Sequence, residues 1–531
     1  MIVKSEYQVT FHPQFEMKKI ISSFLLIVIL FIDVYSQQLH HETAHLTILH
    51  WNDFHAQNFP FQMTEQTNSK QTLSYAVGGT AALLGYIKHV RTANDNVALF
   101  NAGDDFQGTP ISTLTSGRSQ IELMNLIAPD AVTLGNHEFD YGMDSLIANL
   151  ARANYPIVCA NVVNTATNST LGIPFLTKTF GKVRVGIVGV TPPDLELLTL
   201  KNNLNGYRVR DVDSSLNISI GVLKTKNHPN LTILLSHMGF DQDTLLAARR
   251  NDIDIIVGGH SHTALFIPIK KNRTIIVQAG YRGQYLGKLD LTIDLEGDSV
   301  LSYAGELIET KVNNVTPDPV AEKKVEEYES VVNEKFGEVI GTLVTPWDRQ
   351  AGKKVEINVG NFECDVMRAV AKTDIAFHNV GGIRKDLDAG PIKVRDIWEM
   401  NPFGNMLVTF SVRGDTLRKM MEWQAAIRPR EFAQVSGLQY TYNSSEPFGK
   451  NLLSLNVNGQ PCVDTVWYSL CTNNYIGSHL YDFFGIDEKS VNILDTGLID
   501  RDVIIDYIIQ KKTISSVVEG RIVDVAEKIK K

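Results

Sequence analysis

Between residues 45 and 310 the chain repeats one pattern, in which a β-branched, apolar run ends abruptly in polar residues. Helix-like stretches such as TAALLGYIKHVRTA and SQIELMNLIA separate these runs. The runs read HLTILHW, NVALFNAG, AVTLG, VRVGIVGV, NLTILLS, DIIVGG and TIIVQAG. Continuous apolar runs that alternate with helices are typical of strands buried on both faces. The pattern therefore predicts an α/β domain, which we place at residues 43–312.

A long, highly charged stretch follows, TPDPVAEKKVEEYESVVNEKFGEVIG. Pro317 and Pro319 open it, and its apolar positions have helical spacing, so it predicts an amphipathic helix. We interpret residues 313–340 as a linker helix and residues 341–531 as a second, α+β domain. A chain of 531 residues is long enough for two or more domains.

The N-terminal region has the pattern of a targeting signal. Residues 17–36 read MKKIISSFLLIVILFIDVYS, in which two lysines, an apolar core and small or polar residues follow one another. This layout predicts a cleaved secretory signal peptide, with residues 1–16 as an upstream extension. The alternative is a membrane anchor, but the apolar core is shorter than the about 20 residues that span a bilayer.

The other end of the chain reads RIVDVAEKIKK, which is charged and amphipathic, so we expect no stable membrane anchor there. Six Asn-X-Ser/Thr triplets agree with secretion of a glycoprotein. They lie at Asn168, Asn217, Asn230, Asn272, Asn314 and Asn443.

Charge and cysteine content exclude some classes of protein. The net charge of −9 argues against a nucleic-acid binder, which usually carries a basic excess. The four cysteines make no dense disulfide framework, and we expect at most a pair between Cys462 and Cys471.

Side chains with carboxylate, imidazole or amide groups, which can bind metal ions, follow five of the apolar runs. They are Asp53 and His55, Asp104, Asn136 with His137 and Asp140, His237, and finally His260 and His262. Open α/β sheets place their sites at the carboxyl ends of the strands, so we expect these groups at one sheet edge. Each residue alone is explained as a structural histidine or a turn cap. Buried together without a cation, however, so many charges and donors would be costly.

Mixed Asp, His and Asn ligands suit zinc, manganese or iron better than calcium. Seven of these nine side chains are candidate ligands, which exceeds the needs of one tetrahedral zinc ion, so the set favours two divalent ions. A bridging carboxylate is usual in such sites, and Asp104 is our candidate.

The motifs ILHWNDFH, NAGDDFQGT, GNHEFDYG, LSHMG and GGHSHT resemble the calcineurin-like metallophosphatase domain of the 5'-nucleotidase/apyrase family. NVGGIR, NPFGN and EFAQVSG resemble the C-terminal nucleotide-specificity domain of the same family. The resemblance covers residues 43–525. It implies an N-terminal four-layer α/β/β/α domain and a C-terminal α+β nucleotide-binding domain.

The same resemblance implies roles for individual residues. One metal ion would bind Asp53, His55 and His262, and the other Asn136, His237 and His260, with Asp104 between them. Zinc is the expected metal, with manganese, calcium or magnesium left open. His137 would face the substrate phosphate, held protonated by Asp140.

In the second domain the resemblance assigns the substrate's phosphate to Arg384 and Arg428. Phe432 and Tyr475 would stack on the base. Ser478 to Tyr481 replace a glycine-rich turn of the family, which leaves base selectivity and the ribose-binding role of Asp482 open.

We therefore expect a secreted phosphohydrolase that acts on ATP and ADP, as an apyrase, or on AMP, as a 5'-nucleotidase. The alternative is a secreted nucleotide-binding or receptor-blocking protein that keeps the fold but has weak or no catalysis.

Overall fold

The computed structural model describes residues 42–66, 72–349, 355–426 and 432–526. The expected upstream extension, the signal peptide and Arg428 lie outside these ranges. Within them, no helix is both long enough and apolar enough to cross a membrane.

The N-terminal half of the described chain alternates strands with helices. Its strands are β1 (Thr43–Trp51), β2 (Phe61–Gln66), β3 (Thr72–Val77), β4 (Val97–Asn101), β5 (Ala131–Val132), β6 (Val162–Asn164), β7 (Phe175–Phe180), β8 (Val183–Val190), β9 (Tyr207–Val209), β10 (Leu231–Ser236), β11 (Ile255–Gly258), β12 (Ile269–Lys271), β13 (Thr274–Val277), β14 (Tyr285–Asp294) and β15 (Ser299–Glu309). Its helices are α1 (Thr80–Ala93), α2 (Pro110–Leu114), α3 (Arg118–Ile127), α4 (Gly142–Leu150), α5 (Leu195–Leu198), α6 (Val212–Asn227) and α7 (Phe240–Arg249).

Two sheets face each other in this half. The first has the order β15-β14-β1-β4-β5, and its strands β1, β4 and β5 are parallel. The second has the order β12-β13-β11-β10-β8-β7, and its strands β8, β10, β11 and β13 are parallel. One apolar core joins the facing sides, where Ile48 and Phe100 of the first sheet pack with Ile233 and Val257 of the second.

Helices cover both outer faces. Leu49, the neighbour of Ile48 on β1, points to the opposite side and packs with Leu83 of α1 and Ile121 of α3. On the second sheet, Leu216 of α6 packs against the outer face. These strands are thus buried on both faces, which explains their continuous apolar runs, and the four-layer α/β/β/α arrangement is confirmed.

A long helix, α8 (Pro319–Phe336), follows. Asp318 caps it by accepting hydrogen bonds from the N–H groups of Val320 and Ala321, at 3.1 and 2.9 Å. Near its end, the Phe336 ring lies 4.5 Å from the ring of Trp398 in the C-terminal half. Val332 and Phe336 also pack with Ile111 of α2, so the helix contacts both halves of the protein.

The C-terminal half mixes strands and helices without a strict alternation. Its strands are β16 (Val339–Leu343), β17 (Ile375–Asn379), β18 (Gly390–Lys393), β19 (Met406–Arg413), β20 (Ala433–Ser436), β21 (Leu438–Tyr442), β22 (Leu452–Val457), β23 (Gln460–Pro461), β24 (Trp467–Asn473), β25 (Leu494–Ile499), β26 (Thr513–Ile514) and β27 (Ile522–Asp524). Its helices are α9 (Asn358–Ala371), α10 (Val394–Met400), α11 (Gly414–Ala426), α12 (Asn474–Ser478), α13 (Leu480–Phe484) and α14 (Asp500–Lys511). The central sheet has the order β20-β17-β24-β19-β25. The fold is thus a two-domain α/β fold.

The expected disulfide between Cys462 and Cys471 is wrong. All four cysteines are free and buried. Cys462 packs in the apolar core around Phe377, whereas Cys471 packs in a different core around Phe362. The two sulfur atoms therefore belong to separate layers of the C-terminal domain.

Candidate active site

The candidate ligands come from both sheets of the N-terminal domain. Asp53 follows β1 and Asp104 follows β4 of the first sheet, whereas His237 follows β10 and His260 follows β11 of the second. We expected one sheet edge. The structure instead brings the carboxyl ends of two facing sheets together, because the sheets pack as a sandwich with these ends on the same side.

A first group consists of Asp53, His55 and His262, whose ligand atoms all lie within 4.8 Å of one another. Nε2 of His262 lies 2.9 Å from Nε2 of His55 and 3.4 Å from Oδ1 of Asp53. Two imidazole nitrogens and a carboxylate therefore converge on one point.

A second group contains Asp104, His237 and His260. Oδ2 of Asp104 lies 3.0 Å from Nε2 of His237, and Oδ1 of Asn136 lies 2.9 Å from Nδ1 of His260. Asp104 also belongs to a third group, with His55 and His137. The Asp104 carboxylate thus lies between the two sets of candidate ligands, as a bridging residue must.

Two of the histidine rings, those of His237 and His55, have the hydrogen-bond pattern of metal ligands. Nδ1 of His237 faces the main-chain oxygen of Ala102 at 2.5 Å, and Nδ1 of His55 faces that of Gln107 at 3.2 Å. A carbonyl only accepts, so Nδ1 carries the hydrogen and Nε2 keeps its lone pair for a ligand.

Electrostatics favours neutral imidazoles at His260 and His55 but not at His237. Burial lowers the pKa of His260 to about 4. Burial, with His262 and Arg384, holds the pKa of His55 well below its ordinary value.

Burial also opposes protonation of His237, but the carboxylates of Asp104 and Asp53 outweigh it and raise its pKa to about 10. Metal ligation requires neutral histidine, so a metal ion at this point would displace the His237 proton. The donor set of imidazole nitrogens and carboxylate and amide oxygens fits divalent transition metals.

The backbone at the site is strained. Five of the seven candidate ligands have left-handed φ angles between 50° and 71°. Residues other than glycine rarely adopt this backbone conformation. The five ligands are Asp53, His55, Asp104, His260 and His262. Each such residue costs about 1–3 kcal/mol, and this cost is typical of functional sites that the surrounding fold holds in place.

Gly135 is required for its missing side chain and not for its backbone freedom. Its φ is not left-handed. A Cβ atom at Gly135 would lie 2.1 Å from Oδ1 of Asp104. Glycine is therefore needed because the Asp104 carboxylate occupies the space of a side chain.

His137 and Asp140 form a pair at the edge of the candidate metal groups. Nδ1 of His137 lies 2.7 Å from Oδ2 of Asp140, and the His137 main-chain N–H donates to Oδ1 of Asp104 at 2.9 Å. Burial opposes protonation of His137, but the carboxylates of Asp140 and Asp104 outweigh it and raise its pKa.

Glu138 has a structural role that our sequence analysis missed. Its two carboxylate oxygens accept hydrogen bonds from four main-chain N–H groups, at 2.6–3.3 Å. These belong to Asp104, Asp105, Phe106 and Gly135. Glu138 thereby ties the Asp104 loop to the Asn136 loop. The sequence signal was a carboxylate within GNHEFD that had no ligand role.

Tyr281 is a second residue that the sequence did not single out. Its ring lies parallel to that of His262, with an interplanar angle of 5° and centroids 5.0 Å apart. The Arg282 N–H donates to the main-chain oxygen of Asp53 at 2.7 Å. This turn therefore supports the first ligand group from outside.

A cleft of about 190 Å³ joins the candidate metal groups to the C-terminal domain. Asp104, His137 and His262 line it from one side, and Arg384 and Tyr475 from the other. Phe403 also lines it, with its ring 5.8 Å from the His137 ring and 6.0 Å from the Arg384 guanidinium. Both domains therefore contribute to a single cavity.

Two contacts connect the domains beside this cleft. The Tyr475 hydroxyl donates to the main-chain oxygen of Leu197 at 2.9 Å. The Arg282 guanidinium donates to the main-chain oxygen of Arg384 at 3.0 Å. Each contact joins an N-terminal residue to a candidate substrate-binding residue.

The other candidate substrate residues lie elsewhere. Among the described residues that line the cleft, neither Phe432 nor Asp482 is present. Phe432 is half-buried and stacks on Tyr442, with ring centroids 6.0 Å apart. Asp482 is exposed on α13.

Comparison with known proteins agrees with this geometry. A family model of the calcineurin-like phosphoesterase matches residues 46–264, and one of the 5'-nucleotidase C-terminal domain matches residues 339–485. Human 5'-nucleotidase is 30% identical over 529 residues, which cover 90% of each chain. An apyrase from Tabanus yao is 28% identical and covers 90% of this chain and 93% of its own.

Solved structures lead to the same result. The crystal structure of a 5'-nucleotidase precursor from Thermus thermophilus has a TM-score of 0.81 and 29% identity. The match covers 91% of this chain and 99% of that one. With both domains matched in order, and with histidine and aspartate groups that can hold metal ions in the first, the chain belongs to the 5'-nucleotidase family of metal-dependent phosphohydrolases.

Proposed function

We propose that this enzyme removes phosphate from nucleotides outside the cell. The observation that carries the proposal is the shared cleft, in which Asp104 and His137 of one domain face the same cavity as Arg384 and Tyr475 of the other. A substrate with a phosphate at one end and an aromatic base at the other fits such a cavity.

We propose that two divalent ions, with zinc as the first candidate, bind at the two ligand groups. Asp53, His55 and His262 would hold one, Asn136, His237 and His260 the other, and Asp104 both. When bound, such ions lower the pKa of water and neutralise the charge of the phosphate.

The side chains of this chain would do the remaining work. A protonated His137, oriented by Asp140, would donate to the phosphoryl oxygens or to the leaving oxygen as negative charge develops there. Arg384 would bind a phosphate through two parallel hydrogen bonds, a geometry that a guanidinium offers and an ammonium does not. Tyr475 would stack on the base.

The proposed substrates are ATP, ADP and AMP. The relatives at similar identity include proteins named 5'-nucleotidase and one named apyrase, so both reactions remain candidates. In the C-terminal domain we propose that Phe432 provides a second stacking surface, and that Arg428 and Asp482 contact the phosphate and the ribose.

Secretion is part of the same proposal. It rests on the signal pattern of residues 17–36 and on the six glycosylation triplets. Four of their asparagines are exposed, which glycan attachment requires: Asn168, Asn217, Asn272 and Asn314. We also propose domain boundaries at residues 43–312 and 341–531, with the linker helix between them.

A phosphate-release assay tests the function. The purified protein, loaded with zinc or manganese, is given ATP, ADP, AMP, a sugar nucleotide and a small aryl phosphate. We expect release from at least one nucleotide at a kcat/KM well above that for the aryl phosphate, and loss of activity on chelation. Equal rates on all substrates would contradict nucleotide selectivity. No release from any of them would favour a nucleotide-binding protein without catalysis.

A further inference from the structure

The side chain of Gln107 belongs to none of the candidate metal groups and has no part in the proposed substrate contacts. It follows Asp104 by three residues, in the loop between β4 and α2. It lines the cleft together with Asp104 and His137. Its main-chain oxygen faces Nδ1 of His55, at 3.2 Å. The backbone of Gln107 thus supports a candidate metal ligand, while its carboxamide is left for something else.

That carboxamide is buried and unsatisfied. Gln107 is 2% exposed, and among the described residues neither its Oε1 nor its Nε2 has a hydrogen-bond partner. Gln434, another buried glutamine, shows the contrast. Its Oε1 accepts from the Ile357 N–H, and its Nε2 donates to the Val355 oxygen, both at 2.9 Å.

A buried amide without partners costs free energy, so it persists where a ligand or function compensates for it. The cleft that Gln107 lines is also lined by His137 and Arg384, which the proposed function assigns to the phosphate. A carboxamide has an acceptor, its oxygen, and a donor, its N–H₂ group. The N–H₂ group can donate to a phosphoryl oxygen, and it does so without adding charge.

We propose that Gln107 contacts the substrate, with Nε2 donating a hydrogen bond to a non-bridging oxygen of the phosphoryl group that is released. The proposal rests on the proposed function, because it places that phosphoryl group beside Asp104 and His137. It adds a neutral donor to the charged groups of the site.

Gln107→Met and Gln107→Glu test it, with Gln434→Met as the matched control. Methionine has nearly the shape of glutamine but no polar atoms, and glutamate replaces the donor by a negative charge. For each protein we would measure metal content, melting temperature without phosphate, affinity for inorganic phosphate by calorimetry, and kcat/KM for the best nucleotide.

For Gln107→Met we expect full metal content and a melting temperature no lower than that of the wild type, since the substitution removes unpartnered polar atoms. Phosphate affinity and kcat/KM should fall by about 10- to 100-fold, as expected when a hydrogen bond to a charged group is lost. Gln107→Glu should lose more. Gln434→Met should melt at a lower temperature with phosphate affinity unchanged.

Wild-type phosphate affinity and kcat/KM in Gln107→Met would overturn the inference. So would a lower melting temperature with unchanged phosphate affinity, which is the signature of a structural residue. If the wild type releases no phosphate from any substrate, the proposed function fails instead. The calorimetric comparison with inorganic phosphate still decides whether Gln107 binds a phosphoryl group.

Discussion

The imidazole of His137 is held by the carboxylate of Asp140, with Nδ1 and Oδ2 2.7 Å apart, and it also belongs to the third candidate ligand group, with His55 and Asp104. Nδ1 is occupied by this contact, so Nε2 is the ring atom that remains for a substrate. This geometry agrees with the proposed function, in which the pair stabilises charge on the reacting group and the neighbouring Asp104 holds metal.

Substitution should separate these two roles. Asp104→Ala removes the carboxylate that lies between both ligand groups, so it should lose bound metal together with activity. His137→Ala leaves the six other ligands and Asp104 in place, so it should keep its metal while kcat falls by about 10²-fold or more. Elemental analysis and kcat on the same samples measure both effects. Full activity in metal-free Asp104→Ala protein would rule out the dinuclear site.

Glu138 should control the stability of the site without binding metal or substrate. Glu138→Gln turns one acceptor oxygen into a donor, so two main-chain N–H groups lose their partner inside the protein. Each buried N–H without a partner costs about 1–3 kcal/mol. We expect a lower melting temperature and weaker metal binding.

Asp105→Asn is the control for Glu138→Gln. Burial and the neighbouring Glu138 raise the pKa of Asp105, which favours its uncharged form, and the amide of asparagine has nearly the same shape. Its melting temperature should stay near that of the wild type. An equal loss in both variants would mean that any substitution in this loop is disruptive, and the specific role of Glu138 would fail.

Much of the N-terminal fold could be predicted because its strands are buried on both faces. The run HLTILHW became β1, whose neighbouring residues Ile48 and Leu49 pack in different cores. Periodicity does not say which sheet a strand joins, however. The site was therefore expected at one edge, whereas Asp53 and His237 follow strands of two different sheets. The run AVTLG was read as a strand, but only Ala131–Val132 pair as one.

The types of the candidate ligands could be predicted from the sequence, but the residues that hold these ligands in position could not. Glu138 acts on N–H groups that lie more than 30 residues away, and such a contact leaves no spacing pattern. Tyr281 reaches the ring of His262 because the turn at residues 281–284 lies beside the loop that carries His260 and His262. In the C-terminal domain, EFAQVSG suggested a base-stacking Phe432, whereas the aromatic residues of this domain that line the cleft are Phe403 and Tyr475.

A buried acid in the C-terminal domain predicts how stability depends on pH. Glu363 is fully buried, and its Oε2 lies 3.2 Å from Nε2 of His378. Burial, with a contribution from Asp500, holds the pKa of Glu363 well above its ordinary value of 4.5. Burial lowers the pKa of His378 to about 4. Near neutral pH His378 is therefore uncharged, and the folded protein holds the Glu363 proton more tightly than the unfolded chain does.

The sign of the effect follows from these directions. The folded state binds the Glu363 proton more tightly than the unfolded state, so this group's stabilisation is fully present below pH 4.5 and is lost as pH rises through the raised pKa. Glu363→Gln removes the titration and keeps a donor toward His378. Its melting temperature should match that of the wild type at pH 5 and exceed it at pH 9. Glu334→Gln, at an exposed position of α8, should show no such change. Parallel pH curves for Glu363→Gln and the wild type would contradict the assignment.

Tyr475 combines two functions that can be tested apart. Its ring lines the cleft, and its hydroxyl donates to the Leu197 oxygen of the other domain at 2.9 Å. Tyr475→Ala removes both the stacking surface and the hydrogen bond, whereas Tyr475→Phe removes only the hydrogen bond. Stacking of a base on an aromatic side chain contributes about 1–3 kcal/mol, which corresponds to roughly a tenfold to hundredfold change in kcat/KM. We expect Tyr475→Ala to lose this factor on a nucleotide and almost nothing on a small aryl phosphate, which has no base to stack. Tyr475→Phe should stay close to the wild type on both substrates.

Phe432→Ala should show the same substrate dependence as Tyr475→Ala if the two rings enclose one base. Should Tyr475→Phe instead lose as much as Tyr475→Ala on both substrates, the residue acts by holding the domains together, and base stacking at this position is wrong.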